Sequence, residues 1–413
     1  MVELVLLAIG IAIFLGFLGN VLFEKTGIPN TLWLLLFGAA LGALHVLPPD
    51  FVFSAAGLVG AIAIIGILSD GGLHLDLRKV LTEGLVGFLW MLCGLVFSIL
   101  VTLGVLSFAG FPFESALFTG IILAGTSSSV AIPILVSLPG ISEKLRTILS
   151  VESVFDTFSI VIAIIFVDVV SKQGEVPAGF FQLPLLQFFS AIAIGLLFGI
   201  AWSLIITRIK KFEFSYTATL GAFFLLYAFT ELSGSSGALA VFFAGVMLAN
   251  AYIIFGAMFP KRKQLPLDDD LSKTHSLFAF LIRVFFFVFL GIIVGVPEPL
   301  YLFLGLLITV LIIAARFSYL HFFLLARVVE ANAKEKLLAG FMVPRGLSAA
   351  VLSVFALSSG LPMADKIVQT VFSVIIFSIL ATTIGVFVLR GRQKKEPEKK
   401  PLVFQEIRVT SFE

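Results

Sequence analysis

An all-α polytopic membrane protein of about thirteen transmembrane helices is the fold class the sequence predicts, and three observations predict it. Apolar residues fill 60% of the 413 positions and charged residues only 13%, against roughly half and a quarter in a soluble domain. The mean hydropathy of +1.15 is spread along the chain rather than gathered in one or two anchors. Lys and Arg fall almost wholly on one side of the segments counted below. A net charge of +2 with no concentrated basic surface excludes a dedicated nucleic-acid binder, and the single Cys93 excludes an internal disulfide.

A helix needs about 20 residues to cross the hydrocarbon core. Taken in order, the candidates are 3–22, 30–47, 52–69, 84–109, 115–137, 147–169, 181–206, 215–232, 236–256, 277–296, 299–325, 335–358 and 366–389. The first has no basic stretch before it and reads as a span rather than a cleaved signal peptide. With the C-terminus inside, the connections facing the cytoplasm hold Lys25, Arg78, Lys79, Lys144, Arg146, Arg208, Lys210, Lys211, the 260–275 cluster, Arg327, Lys334 and Lys336, and only Lys172 and Lys366 fall outside. That bias places the N-terminus outside and the C-terminus in the cytoplasm of a multi-pass protein of the cell membrane. Residues 1–390 form the membrane domain and 391–413 a short polar tail. No nucleotide-binding domain follows, which argues against an ATP-driven pump.

The second and ninth spans echo each other: NTLWLLLFGAALG (30–42) and GALAVFFAGVMLAN (237–250) lie seven spans apart. An odd offset inverts the second copy, and inverted repeats are characteristic of secondary transporters, whose sites lie mid-membrane where helices break. The repeat pairs the fifth span with the twelfth, and both carry breaker residues. The fifth has AGTSSSVAIP (124–133), with four successive hydroxyl side chains and Pro133; the twelfth has GFMVPRGLSAA (340–350), with Pro344 and Gly346 flanking Arg345. Proline removes a backbone donor, and unwound backbone at this depth survives only where protein or water satisfies it. Two broken helices crossing at mid-membrane are therefore expected.

The sixth span carries Glu152 and Asp156 on one face, extended by Ser153 and Thr157. An unpaired charge at the bilayer centre costs about 2.5–3.5 kcal/mol or more, so one acid needs a cation. Arg345, at a break, is the expected partner of Glu152; Arg316 and Arg283 compete, although Arg283 could snorkel to the inner surface. Asp156 is then the exchangeable site, holding one proton or one alkali cation, because burial favours the protonated carboxyl. Ser153, Thr157 and the hydroxyl run from Thr126 through Ser127 and Ser128 supply oxygen ligands, so Na+ or K+ is expected at Asp156, Ser153 and Thr126. Asp70, in ILSDGGLHL, is the reserve acid.

At these residues the chain resembles the monovalent cation/proton antiporter superfamily, and specifically the NhaP-like sodium/proton antiporters of archaea and bacteria. The resemblance is carried by TGIPNTLWLLLFGAALG, SDGGLHLDLRKV, AGTSSSVAIPILV, VESVFDTFSIV, SGALAVFFAGVMLAN, FLIRVFFFVFLG and MVPRGLSAAV. It implies an NhaA/NhaP-like fold, a homodimer, electroneutral 1:1 exchange of Na+ (or K+ or Li+) for H+, and no cofactor. It also implies a mobile core, near 84–169 and 277–389, beside a dimer-forming domain near 1–47 and 181–256. The family pattern resembles E-S-x-x-N-D, whereas ESVFDT places Asp156 where Asn is usual and Thr157 where the ion-binding Asp is usual. Ser127 likewise replaces an Asp. A channel or uniporter with the same polar core is the alternative. A membrane-embedded enzyme is disfavoured by the lack of H-E-x-x-H and G-x-S-x-G patterns and by a total of four His.

Overall fold

Apolar side chains on every face of a helix leave hydropathy unable to say which face meets protein and which meets lipid; only packing decides. The computed structural model describes residues 2–26, 28–46, 49–74, 77–138, 141–154, 162–163, 166, 182–209, 215–251, 269–325 and 331–390. Every described regular element is a helix: α1 (Val2–Thr26), α2 (Asn30–Ala43), α3 (Pro49–His74), α4 (Leu77–Phe108), α5 (Phe113–Ile122), α6 (Ser128–Ser137), α7 (Glu143–Val154), α8 (Gln182–Ile209), α9 (Ser215–Leu232), α10 (Gly237–Ala249), α11 (Asp269–Val294), α12 (Pro299–Leu325), α13 (Ala333–Phe341), α14 (Leu347–Ser358) and α15 (Ala364–Arg390). Among the described residues each predicted span overlaps a helix, the sixth over 147–154, and the fifth and twelfth are each divided in two. Among the described residues, five stretches are long and apolar enough to cross a membrane: Val86–Phe108, Phe189–Ile209, Leu277–Val294, Pro299–Leu325 and Ala364–Phe387.

The helices pack in two groups. One holds α1, α2, α3, α8, α9, α10 and α11; the other holds α4 to α7 and α12 to α15. They meet where α14 lies on α3 and where α11 touches α14 and α15. The sequence grouped the segment from 277 with 299–389; α11 packs mainly on α2 and α3. Among apolar helices the driving force is close van der Waals contact, and small residues permit it.

The inverted repeat shows in that packing. The second span rests on the tenth as the ninth rests on the third. Gly38 of α2 and Gly245 of α10 hold the same position in the two sequence echoes. A Cβ on Gly38 would run into the Val288 carbonyl of α11, and one on Gly245 would stand 3.1 Å from the Ser69 carbonyl of α3.

Within the second group, one apolar cluster joins α4, α6, α7, α12 and α13 through Trp90, Ile134, Leu149, Leu320 and Leu338. The start of α13 is tied to the start of α7 by Glu335. Its carboxylate closes a capping box with Asn332 at the start of α13 and accepts the Ser142 N–H at 2.7 Å. The apolar cluster holds the half-helices α6 and α13 together.

Candidate functional site

The chain is unwound at 123–127, between α5 and α6, and at 342–346, between α13 and α14. Pro133 does not mark the first break; it lies inside α6. The break falls earlier, where Gly125 and the start of the hydroxyl run offer the least helical commitment. The two unwound segments cross, and Ser127 N–H of the first donates to the Pro344 carbonyl of the second at 2.8 Å; Arg345 N–H donates to Ser378 Oγ of α15 at 3.0 Å. Gly346 is required by this approach, since a Cβ there would overlap the Ser127 side chain. Gly346→Ala is expected to destabilise the protein by about 1–3 kcal/mol through overpacking, and a second change, Ser127→Gly, to relieve it. Thermal unfolding of the two variants in detergent checks this; equal midpoints would show that the crossing gives way freely.

α5 ends with carbonyls that have no helical partner, and partial negative charge collects there. Arg345 answers both. Its guanidinium donates from Nη1 to the carbonyls of Ala124 (3.0 Å) and Gly125 (2.6 Å), and from Nη2 to Ser98 Oγ of α4 (3.0 Å).

Glu152 is not Arg345's partner, contrary to the expectation from sequence. Its carboxylate is gripped bidentately by Arg316 of α12, Nη1 to Oε1 at 2.5 Å and Nη2 to Oε2 at 2.7 Å. Both side chains are buried, at 3% and 4% exposure. Arg345 is held on the end of α5, while Arg316 sits deep in a 27-residue apolar helix with no route to the surface. The buried carboxylate and the cation without an escape therefore meet. Arg316 also donates from Nε to the Ala339 carbonyl near the end of α13, so each broken helix has the end of its first half held by an arginine.

Thr126 links the two arginines. Its hydroxyl donates to Glu152 Oε1 at 2.9 Å and accepts from Arg345 Nη1 at 3.4 Å. A small cavity of about 10 Å³ opens beside this network, lined among others by Gly94, Phe97, Ser98, Thr126, Glu152 and Tyr319, with both guanidinium groups. Of the expected ligands, Ser153 is buried and its hydroxyl returns to the Ser150 carbonyl at 2.8 Å. Ser127 stands at the crossing and Ser128 is the half-buried first residue of α6. Asp70 lies on α3 in the other group, within electrostatic reach of Arg283 of α11. Asp156 and Thr157 lie outside the described residues.

Three contributors to the network were not singled out from the sequence: Ser98, Tyr319 and Trp90. Tyr319 carried a usable signal, being one of only five tyrosines and three residues after Arg316, on the same helix face.

With this geometry in view, the likenesses to known proteins agree with it. A family model described as "Sodium/hydrogen exchanger, transmembrane" matches residues 9–390. Na(+)/H(+) antiporter 1 of Methanocaldococcus jannaschii is 30% identical over 406 residues, covering 91% of this chain and 88% of that protein. The Probable Na(+)/H(+) antiporter 2 of the same organism is 28% identical over 318 residues, 70% of this chain and 71% of its own. The structure of the sodium proton antiporter MjNhaP1 from M. jannaschii at pH 8 shares the fold, with a TM-score of 0.71 and 24% identity over 92% of this chain and 99% of that one. Two broken helices crossing beside a buried, arginine-neutralised carboxylate thus sit in a chain that belongs to the sodium/hydrogen exchanger family, a transporter and not an enzyme.

Proposed function

We propose that this protein exchanges one monovalent cation, Na+ first, for one H+ across the cell membrane by alternating access, with Asp156 as the shared carboxylate. The observation that carries the proposal is the bidentate Arg316–Glu152 contact. It uses up the charge of Glu152, so a single further acid suffices to carry either ion, and exchange of one for the other moves no net charge. Arg345 is already partly balanced by the carbonyl end of α5, equivalent to about half an elementary negative charge. Thr126 and Ser153 are the neighbouring oxygens for a hard alkali cation.

The group containing α4 to α7 and α12 to α15 is the moving part in this scheme. The other group supplies the homodimer contact, to which α1 offers exposed Leu6, Leu7, Phe14 and Phe17. The N-terminus faces outward and the C-terminus the cytoplasm, following the distribution of Lys and Arg.

The test is reconstitution in proteoliposomes with an internal pH dye, driven in turn by Na+, K+ and Li+ gradients. Exchange predicts alkalinisation or acidification that depends on the cation and is insensitive to membrane potential. Cation currents without obligatory proton counterflow would instead identify a channel and overturn the proposal.

A further inference from the structure

Arg316 is held by more than Glu152. Its Cζ lies 5.5 Å from the centre of the Trp90 ring and 5.9 Å from that of Tyr319, and Tyr319 Oη accepts from Nη1 at 2.8 Å. With the bonds to Glu152 and Ala339, four of the five guanidinium N–H groups are engaged. The aromatic rings are themselves fixed. Trp90 meets Tyr319 edge-on at 5.2 Å and Phe323 at 5.3 Å, while Phe97 stacks on Tyr319 at 5.9 Å.

The choice of tryptophan is informative. Trp90 is fully buried, and its indole N–H has no hydrogen-bond partner among the described residues. Burying an unsatisfied donor is unfavourable, and Phe or Leu would fill the space without it. What indole offers over either is the most electron-rich face available to a cation. A guanidinium in a dry site is the case in which that face counts most.

We propose that Trp90 and Tyr319 are positioning residues for the exchange reaction, holding Arg316 on the Glu152 carboxylate so that its charge cannot turn into the adjoining cavity. The inference rests on the reading that a cation binds next to Glu152 and Thr126. A cation arriving there repels the guanidinium. An arginine held only by the carboxylate would yield, expose Glu152 and place its own charge where the transported ion must sit. Loosening Arg316 therefore weakens cation binding without removing any ligand of the cation.

The experiment measures apparent KM for Na+ and maximal rate, per folded protein, in proteoliposomes of wild type, Trp90→Phe, Trp90→Leu and Tyr319→Phe. The expected result is an apparent KM raised about threefold or more in Trp90→Leu and Tyr319→Phe, with maximal rate retained. Trp90→Phe, which keeps an aromatic face but a less electron-rich one, is expected to raise the apparent KM less than Trp90→Leu does. Lowered rate or folded yield with unchanged KM in the first two would reduce these residues to packing and overturn the proposal. Should Trp90→Leu not fold, Tyr319→Phe decides alone, since it alters one hydroxyl. A wild type that exchanges no cation would overturn the proposed function instead, which separates the two failures.

Discussion

Arg316→Leu is expected to cost about 3–5 kcal/mol of stability and to abolish exchange, because it strands the Glu152 carboxylate in a dry site. Both oxygens of that carboxylate lose a charged donor, and only the Thr126 hydroxyl remains to Oε1. The double variant Glu152→Leu/Arg316→Leu removes the stranded charge. It is expected to regain most of the lost stability, as buried ion pairs replaced by apolar groups commonly do, while recovering no transport. Arg345→Leu tests the assignment from the other side. It leaves the carbonyls of Ala124 and Gly125 without their donor, a loss of about 1–3 kcal/mol per group, while Glu152 keeps its bidentate contact with Arg316. Pairing it with Glu152→Leu should therefore bring no rescue. Thermal midpoints of the five proteins in one detergent decide the matter: rescue by Glu152→Leu in the Arg345 background rather than the Arg316 background would reverse the pairing.

The sequence made the broken helices legible and left their chemistry half hidden, for separable reasons. Gly, Pro and a run of hydroxyl residues mark local backbone preference, and local preference is what breaks a helix; hence both unwound segments lie where 124–133 and 340–350 indicated. Pro133 misled because a proline early in a helix is tolerated when its lost bond falls near the N-terminus, and α6 begins only five residues before it. The partner of Glu152 depends on distance between helices far apart in sequence, which no local pattern encodes. A break beside Arg345 looked like a site, whereas Arg316 looked like a lone arginine in an apolar run. The depth of Arg316 was the better clue. The grouping of α11 was hidden for another reason. In a soluble protein an apolar stripe identifies the buried face. Here lipid is as apolar as the interior, and the informative residues are the small ones, such as Gly38 and Gly291, where α2 and α11 come close. The repeat links these contacts, because an inverted copy of the second span resting on the tenth is the ninth resting on the third.

Asp156→Asn is expected to eliminate exchange, and Asp70→Asn only to weaken it. The described residues around the cavity bring two guanidinium groups and one carboxylate together, a formal charge of +1. A cavity of that sign repels alkali cations, so an acid is expected from residues beyond those described, and the chain offers one four residues after Glu152. Asn keeps the shape of Asp156 and removes its charge, leaving neither a cation site nor a proton carrier. Asp70 belongs to the other helix group, beside Arg283, where its loss alters the electrostatics of approach rather than the carrier. The decisive variant is the double change Asp156→Asn/Thr157→Asp, which writes the usual E-S-x-x-N-D order into this segment. It shifts the acid by one residue. Exchange regained in the double variant, measured as Na+-driven pH change in proteoliposomes, would mean that the unwound crossing accepts a carboxylate from either position. Exchange lost in both variants would mean that this protein has built its site around residue 156. Exchange retained by Asp156→Asn alone would remove the acid from the mechanism altogether.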